Sequence, residues 1–536
     1  MKTNIIKTAL LIISIFAMHA CQDDFLDLKL KNYQTSENYF TTEASALAAT
    51  NSCYDPIKGR GLFGINFQYF FYPADDRILF ETPGQEQLLY NAESGSIGGN
   101  GSNFALWDCI YRGVFRANMA LEKIPPIEFK AANEPLKQRY LAEAKFMRGL
   151  YFFYAKILFD TPPVILKVLK NPSETVTNAT SEQIWKQIAS DLKSAVEVLP
   201  DKYDDANVGR ATKGAANALL GKAYLYQQKW DSAKIYLKKV IDSNTYELIK
   251  AQAETKEDYI AAYQCNFTPK ELKVGARVYK AENNKESVFE IQNSDNTEMG
   301  YPNGEWSPGN GSDGSLLSAW FCGVTGYKNV CPTAEAAAIF EVGPVALSLA
   351  KDPRFYANIF TTADTLSKNP ASKYYNKPWI TAYAPATGQG VGLKKYYWPV
   401  HESVTAAPYF DPNNWRLIRY ADVLLMYAEA SLQLNNDADG SGLVQMNEVR
   451  KRAGMPILTA LTPDAIIRER DVELFGECLR YHDLVRWSLL PTPWVVPENL
   501  KYLSGYYKKG RNEYLPIPQS EIDAMQGDLV QNNYWK

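Results

Sequence analysis

Histidine is scarce in this chain: three occur in 536 residues, and His19 lies in an N-terminal stretch that reads as a removable leader. With His401 and His482 left, a histidine-based nucleophilic triad or a histidine-rich metal centre has few residues to draw on. Local catalytic motifs are missing too. "HESVT" (401–405) is not the HExxH pattern of zinc proteases, and "GRATKGA" (209–215) lacks the Lys-Ser/Thr ending of a phosphate loop. There is no CxxC pair to suggest zinc. Positive charge is not in excess: 57 Lys and Arg against 60 Asp and Glu give −3, which argues against the basic surface that nucleic acid requires. After residue 20 no apolar run reaches membrane-spanning length, and "GLYFFYAKILF" (149–159) is short and interrupted by Lys156. Carboxylate pairs can hydrolyse sugars without histidine, and Asp75, Asp76 and Glu81 lie close together, but 60 acidic residues make such clusters common. The chain reads as a binding protein and not an enzyme.

Residues 1–20 have the form of a secretory signal. Lys2 and Lys7 give a positive start, and "TALLIISIFAM" supplies an apolar stretch too short to span a bilayer. Cys21 follows the small residue Ala20 at the expected cleavage point. A bacterial cysteine in this place is commonly lipidated, which holds an otherwise soluble protein on a membrane. The other reading is an ordinary cleaved signal followed by an unrelated cysteine. "QDD" directly after Cys21 resembles the acidic tag that sends lipoproteins to the cell surface.

The first half is helical in pattern. "PLKQRYLAEAKFMRGLYFFYAKIL" (135–158) opens with Pro135 and carries an apolar face through Leu141, Phe146, Leu150, Phe153 and Ile157. "SEQIWKQIASDLKSAVEVLP" (181–200) repeats the plan, with Ser181 as cap and Pro200 as stop. In 218–241, Gly221, Tyr224, Ala233 and Leu237 match the small–aromatic–small–large spacing of a tetratricopeptide helix pair. A second pair of the same plan covers 419–435 and 443–454. Residues 265–410 differ, being rich in Gly, Pro, Asn and aromatics, with short strands expected at "SVFEIQ" (287–292) and "KKYYWPV" (394–400). A long irregular insert on a helical frame is where binding function tends to lie. The expected fold is therefore mainly α: tetratricopeptide-like repeats, a loop-rich insert and few short strands.

One metal pattern is present. "DADGSGLVQMNE" (437–448) puts Asp437, Asp439, Ser441 and Glu448 at positions one, three, five and twelve of a calcium loop, with Gly442 at six. The same residues also read as a Gly/Asp turn joining two packed helices, with Glu448 on a helix surface. Calcium is the one cofactor that the sequence offers. The six cysteines after Cys21 permit 15 pairings, and "CGVTGYKNVC" (322–331) suggests a local staple; small buried thiols are the alternative.

Several long motifs, in order, carry a resemblance: "RYLAEAKFMRGLYFFYAKILFD" (139–160), "NWRLIRYADVLLMYAEA" (414–430), "NEVRKRAG" (447–454), "RERDVELFGECLRYHDLVRW" (468–487) and "YLPIPQSEIDAMQGDLVQNNYW" (514–535). Together with Cys21 and its acidic tail, the chain resembles the SusD/RagB family of outer-membrane lipoproteins. The resemblance implies a lipidated tether at 21–40 and one helical domain over 41–536, built on about four tetratricopeptide-like pairs. It implies a lid on a SusC-like, TonB-dependent barrel, capturing a glycan at the cell surface for uptake. The RagB branch implies a peptide ligand instead. Hydrolysis and redox cofactors are not expected. The motif residues Arg419, Glu429, Arg450, Arg480, Asp483 and Trp487 are expected to hold helices together. The ligand site is expected in "PADDRILFETPGQEQ" (73–87) and in the insert near 298–322. Phe80, Tyr301, Trp306 and Trp320 are the candidate stacking platforms for a sugar's C–H face. Asn66, Asp76, Glu81 and Gln85 are the candidates for its hydroxyls. Trp320, after "LLSA", reads equally well as core.

Overall fold

Pro135 falls where a helix loses nothing by lacking an N–H, in the first turn of Glu134–Phe159. The computed structural model describes residues 39–72, 74–80, 102–171, 173–294, 330–333, 335–341, 349–365, 376–378, 391–397, 412–501 and 505–536. The helices of the first half are α1 (Glu43–Ser52), α2 (Asp55–Lys58), α3 (Asn66–Phe71), α4 (Ser102–Lys123), α5 (Glu134–Phe159), α6 (Ser181–Val198), α7 (Lys213–Tyr226), α8 (Trp230–Asp242) and α9 (Lys256–Gln264). Later come α10 (Pro353–Asn358), α11 (Tyr420–Asn435), α12 (Ser441–Arg452), α13 (Pro463–Glu473), α14 (Arg480–Ser488) and α15 (Gln519–Ala524). Strands are β1 (Ile78–Phe80), β2 (Leu272–Val274), β3 (Arg277–Tyr279), β4 (Ser287–Ile291), β5 (Val330–Pro332), β6 (Ile359–Phe360), β7 (Gly392–Leu393) and β8 (Trp415–Arg419). They form four two-stranded ladders, β1–β5, β2–β3, β4–β8 and β6–β7, all antiparallel.

The expected mainly α architecture is what the chain adopts. From α4 to α8 each helix packs on the next, and α8 then packs on α11, which pairs with α12. The tetratricopeptide spacing has a geometric cause. A Cβ added at Gly221 would come within 2.7 Å of Leu237 Cγ, so glycine is what lets α7 approach α8. Ala233 and Leu237 are both fully buried between them. A bidentate pair ties the preceding helices: Arg148 donates to both Asp191 oxygens at 2.8 and 2.7 Å and to Asn118 Oδ1 at 2.9 Å, joining α4, α5 and α6.

Two local expectations need correction. Thr180, not Ser181, caps α6: its Oγ1 accepts from Gln183 N at 3.2 Å, and Thr180 N donates to Gln183 Oε1 at 2.8 Å. Ser181 is already helical. Residues 394–397 do not extend a strand. Tyr397 N donates to Lys394 O at 2.8 Å, making a turn, and the ladder stops at Leu393. The turn buries Lys395, whose ammonium donates to Tyr263 Oη at 2.8 Å, Phe475 O at 2.6 Å and Glu477 Oε1 at 2.8 Å. A strand would project neighbouring residues to alternate faces and lose that three-way fit. The strand expected at 287–292 is present as β4.

Four cysteines are buried thiols: Cys53, Cys109, Cys265 and Cys478. Burial pushes the first three up to about 12, which makes them packing groups with little thiolate. Cys331 is buried in β5, and its proposed partner Cys322 lies outside the described residues.

Candidate functional site

The short β1–β5 ladder joins the described ends of the two sequence-nominated stretches. Its register is Ile78 with Pro332, Leu79 with Cys331 and Phe80 with Val330. The chain therefore leaves β1 into residues 81–101 directly beside the point at which residues 295–329 re-enter at β5. Opposed residues in an antiparallel pair lie about 4.5–5.5 Å apart at Cα, so the two stretches share one anchor. Thr333 N adds a bond to Arg77 O at 2.8 Å. The other end of the longer stretch is held too. Asn293 N donates to Asn414 Oδ1 at 2.7 Å, and Asn293 Nδ2 to Asn413 O at 2.8 Å. These bonds put the entry to 295–329 beside the exit from 398–411.

Under β1 lies a compact charge cluster. Arg480 Nε donates to Asp76 Oδ1 at 2.8 Å, and Arg77 Nε to Asp471 Oδ2 at 3.1 Å. Three carboxyls (Asp75, Asp76, Asp471) face two guanidinium groups, so one carboxyl is in excess. Burial and the neighbouring Asp76 and Asp471 push Asp75 up to about 8, while Arg480 beside Asp76 holds that carboxyl below its ordinary value despite its burial. The cluster clamps β1 onto α13 and α14.

The candidate residues fall in different places. Asp76 is 2% exposed and committed to Arg480, and Asn66, in the first turn of α3, is 1% exposed. Both were expected to meet sugar hydroxyls. They sit instead in packed surroundings, because "DD" follows a helix whose Phe67, Phe70 and Phe71 are core and is met by Arg480 from α14. The backbone of Phe80 ends β1, at the loop exit. Cys21, Glu81, Gln85, Tyr301, Trp306 and Trp320 lie outside the described residues.

The calcium reading of 437–448 is overturned by its hydrogen bonds. Asp437 spends both oxygens on the start of α12, accepting from Gly442 N at 2.7 Å and Leu443 N at 2.8 Å. Lys234 places its ammonium 2.9 Å from Asp439 Oδ2, and Ser441 Oγ donates to Asp439 Oδ1 at 2.7 Å. Glu448 pairs with Lys451 at 2.9 Å on the helix surface. A cation is therefore already present in the form of Lys234, and the carboxylates do not converge. Among the described residues no group of three or more His, Cys, Asp or Glu side chains is placed to hold a metal.

The motif residues expected to join helices do so. Arg419 reaches Glu286, Glu473 and Glu477; Arg450 reaches Glu469 and Glu341; Arg486 and Trp487 both donate to Glu429; and Asp483 receives Arg470 and Arg486. Each is committed to a pairing within the fold.

Comparison with known proteins bears on the same arrangement. A family model described as "SusD family" matches residues 279–535, and a second, described as "Starch-binding associating with outer membrane", matches residues 24–225. A "SusD-like protein" of Bacteroides ovatus is 28% identical over 90% of this chain and 82% of its own length. Among solved structures, a "Laminarin binding SusD-like protein" is 26% identical, covers 92% of this chain and 99% of its own, and superposes with a TM-score of 0.70. Surface glycan-binding protein A of Bacteroides thetaiotaomicron, solved in complex with laminarihexaose, shares the fold at a TM-score of 0.69, with 23% identity over 92% of this chain and 100% of its own.

Proposed function

Because the chain belongs to the SusD/RagB family, we propose that it captures a glycan at the outer-membrane surface and passes it to a SusC-like, TonB-dependent barrel without cleaving it. The observation that carries the site is the β1–β5 ladder, which roots residues 81–101 and 295–329 at one place. Phe80, Tyr301, Trp306 and Trp320 supply the stacking faces in this reading, and Glu81 and Gln85 orient the hydroxyls. The laminarin-binding relative, at 26% identity, supports a glycan over a peptide. Among the described residues no helix is long and apolar enough to cross a membrane. Attachment is assigned to lipid on Cys21, whose two or three acyl chains would hold the protein stably.

The test is calorimetric titration of the chain lacking residues 1–21 against oligosaccharides and mixed peptides. Saturable binding of one glycan class, weakened at least about tenfold (about 1.4 kcal/mol) in Trp306→Ala, is expected. Binding of peptides alone would overturn the reading in favour of peptide import. For the anchor, Cys21→Ser is expected to move the expressed protein from the detergent phase to the aqueous phase in a Triton X-114 partition. Retention in the detergent phase would remove Cys21 from that role.

A further inference from the structure

A cavity of about 400 Å³ opens between α5, α6, α7, α8 and α14. This is a size typical of small-ligand pockets. It shares no residue with the β1–β5 anchor. Trp185 from α6, Trp230 from the start of α8, Tyr226 from the end of α7 and Tyr514 contribute four aromatic rings to its wall. Both tryptophans are half-buried, and among the described residues neither indole N–H has a protein acceptor. A ring half in the wall with its donor left open is a surface suited to a ligand that is apolar on one face and polar at its edge.

The polar groups fit the same description. Gln227 and Gln228 each give one amide N–H, to Ala223 O at 2.9 Å and Leu489 O at 3.1 Å, which orients both side chains with their carbonyl oxygens unclaimed by any described donor. His482 also lines the cavity, is 5% exposed, and has a buried Nε2 with no hydrogen-bond partner. Leaving such an atom unpaired is costly, and a hydroxyl reaching it removes that cost. Burial also keeps the imidazole uncharged, its pKa pushed down to about 3.

The two buried cations of the wall are paired. Lys156 is 2.5 Å from Asp160, and Arg486 is neutralised by Glu429 and Asp483. Glu182 and Glu513 face the cavity with Lys229, so no positive excess is left to select an anion. The wall is built chiefly of helices whose backbone groups bond internally, so no strand edge is offered to a peptide main chain.

We infer that this cavity is a second binding site for a short neutral saccharide, separate from the loops at β1 and β5. The inference depends on the proposed function only for its choice of probe. The test labels the protein with 5-fluorotryptophan and follows ¹⁹F resonances while adding laminarihexaose, maltohexaose or cellohexaose. Trp185→Phe and Trp230→Phe assign the two signals. At least one probe is expected to shift both signals saturably, in the wild type and equally in Trp306→Ala. Trp185→Ala is expected to weaken that event about tenfold while leaving binding at the loops unchanged. Shifts confined to other tryptophans would overturn the second site and leave the proposed function intact. No shift of Trp185 or Trp230 with any of the three probes would overturn it as well, whatever the loops bind.

Discussion

Asp75 and Asp76 are neighbours with opposite protonation. Asp76 keeps its charge against Arg480, and Asp75 carries the proton that two guanidinium groups among three carboxyls leave over. Folded Asp75 gives up its proton at about 8, against an ordinary value of 3.8. Between those values the folded chain holds a proton that the unfolded chain has lost, so this group makes stability fall as pH rises. Asp75→Asn resembles the protonated form and keeps an Oδ1 for Arg77 N, which donates to Asp75 Oδ1 at 2.8 Å. The variant is expected to raise the urea midpoint at pH 8 and to change it little at pH 4. A lower midpoint at pH 8 would mean that Asp75 is charged when folded. The sequence showed that two aspartates lie beside the loop, and nothing more. Their burial depends on Arg480, some four hundred positions away, and no local pattern announces a partner at that distance. The same limit applies to Asn66, whose helix is too short to display a periodic face.

Elements were legible where they repeat. The 3.6-residue rhythm through Leu141, Phe146, Leu150, Phe153 and Ile157 belongs to a helix that forms over Glu134–Phe159, and the small–aromatic–small–large spacing belongs to α7 and α8. Gly221→Ala tests the second point. Alanine favours a helix by about 1 kcal/mol over glycine, but its Cβ would lie 2.7 Å from Leu237 Cγ and 3.3 Å from Leu237 N. Overpacking of that kind costs about 1–3 kcal/mol. A net loss of stability is therefore expected in chemical denaturation, and a gain would show that α8 can move aside. Turns were less legible, because aspartate, glycine and serine serve a metal loop and a helix cap alike. At 437–442 the choice is made by Lys234, which reaches Asp439 from another helix. Asp437→Ala is expected to cost about 0.5–2 kcal/mol as a lost cap. Calcium is expected to leave the wild-type unfolding midpoint unchanged. A midpoint that climbs with calcium concentration would restore the metal reading.

At the scale of the molecule, the insert is fastened to the helices by buried charge. Glu286, at the foot of β4, accepts from Arg419 and Arg452; Arg354 on α10 donates to Asp352, Glu469 and Glu473; Lys395 donates to Glu477. Every one of these groups is almost wholly buried. Such pairs add little over an apolar substitute, yet removing one member strands the rest, at about 3–5 kcal/mol. The described segments of the insert thus gain a fixed position on the frame by charge as well as by core packing, which a site divided between residues 81–101 and 295–329 requires. Residues 41–536 should accordingly unfold as one unit despite their length. In limited proteolysis across a urea series, cleavage within 265–410 and loss of helical signal are expected at the same midpoint. Arg354→Ala removes the partner shared by Glu469 and Glu473 and should lower both midpoints together. Cleavage of the insert well before the helices melt would show that the charges position it locally without making it part of the cooperative core, and the two loops would then be free to separate before the frame fails.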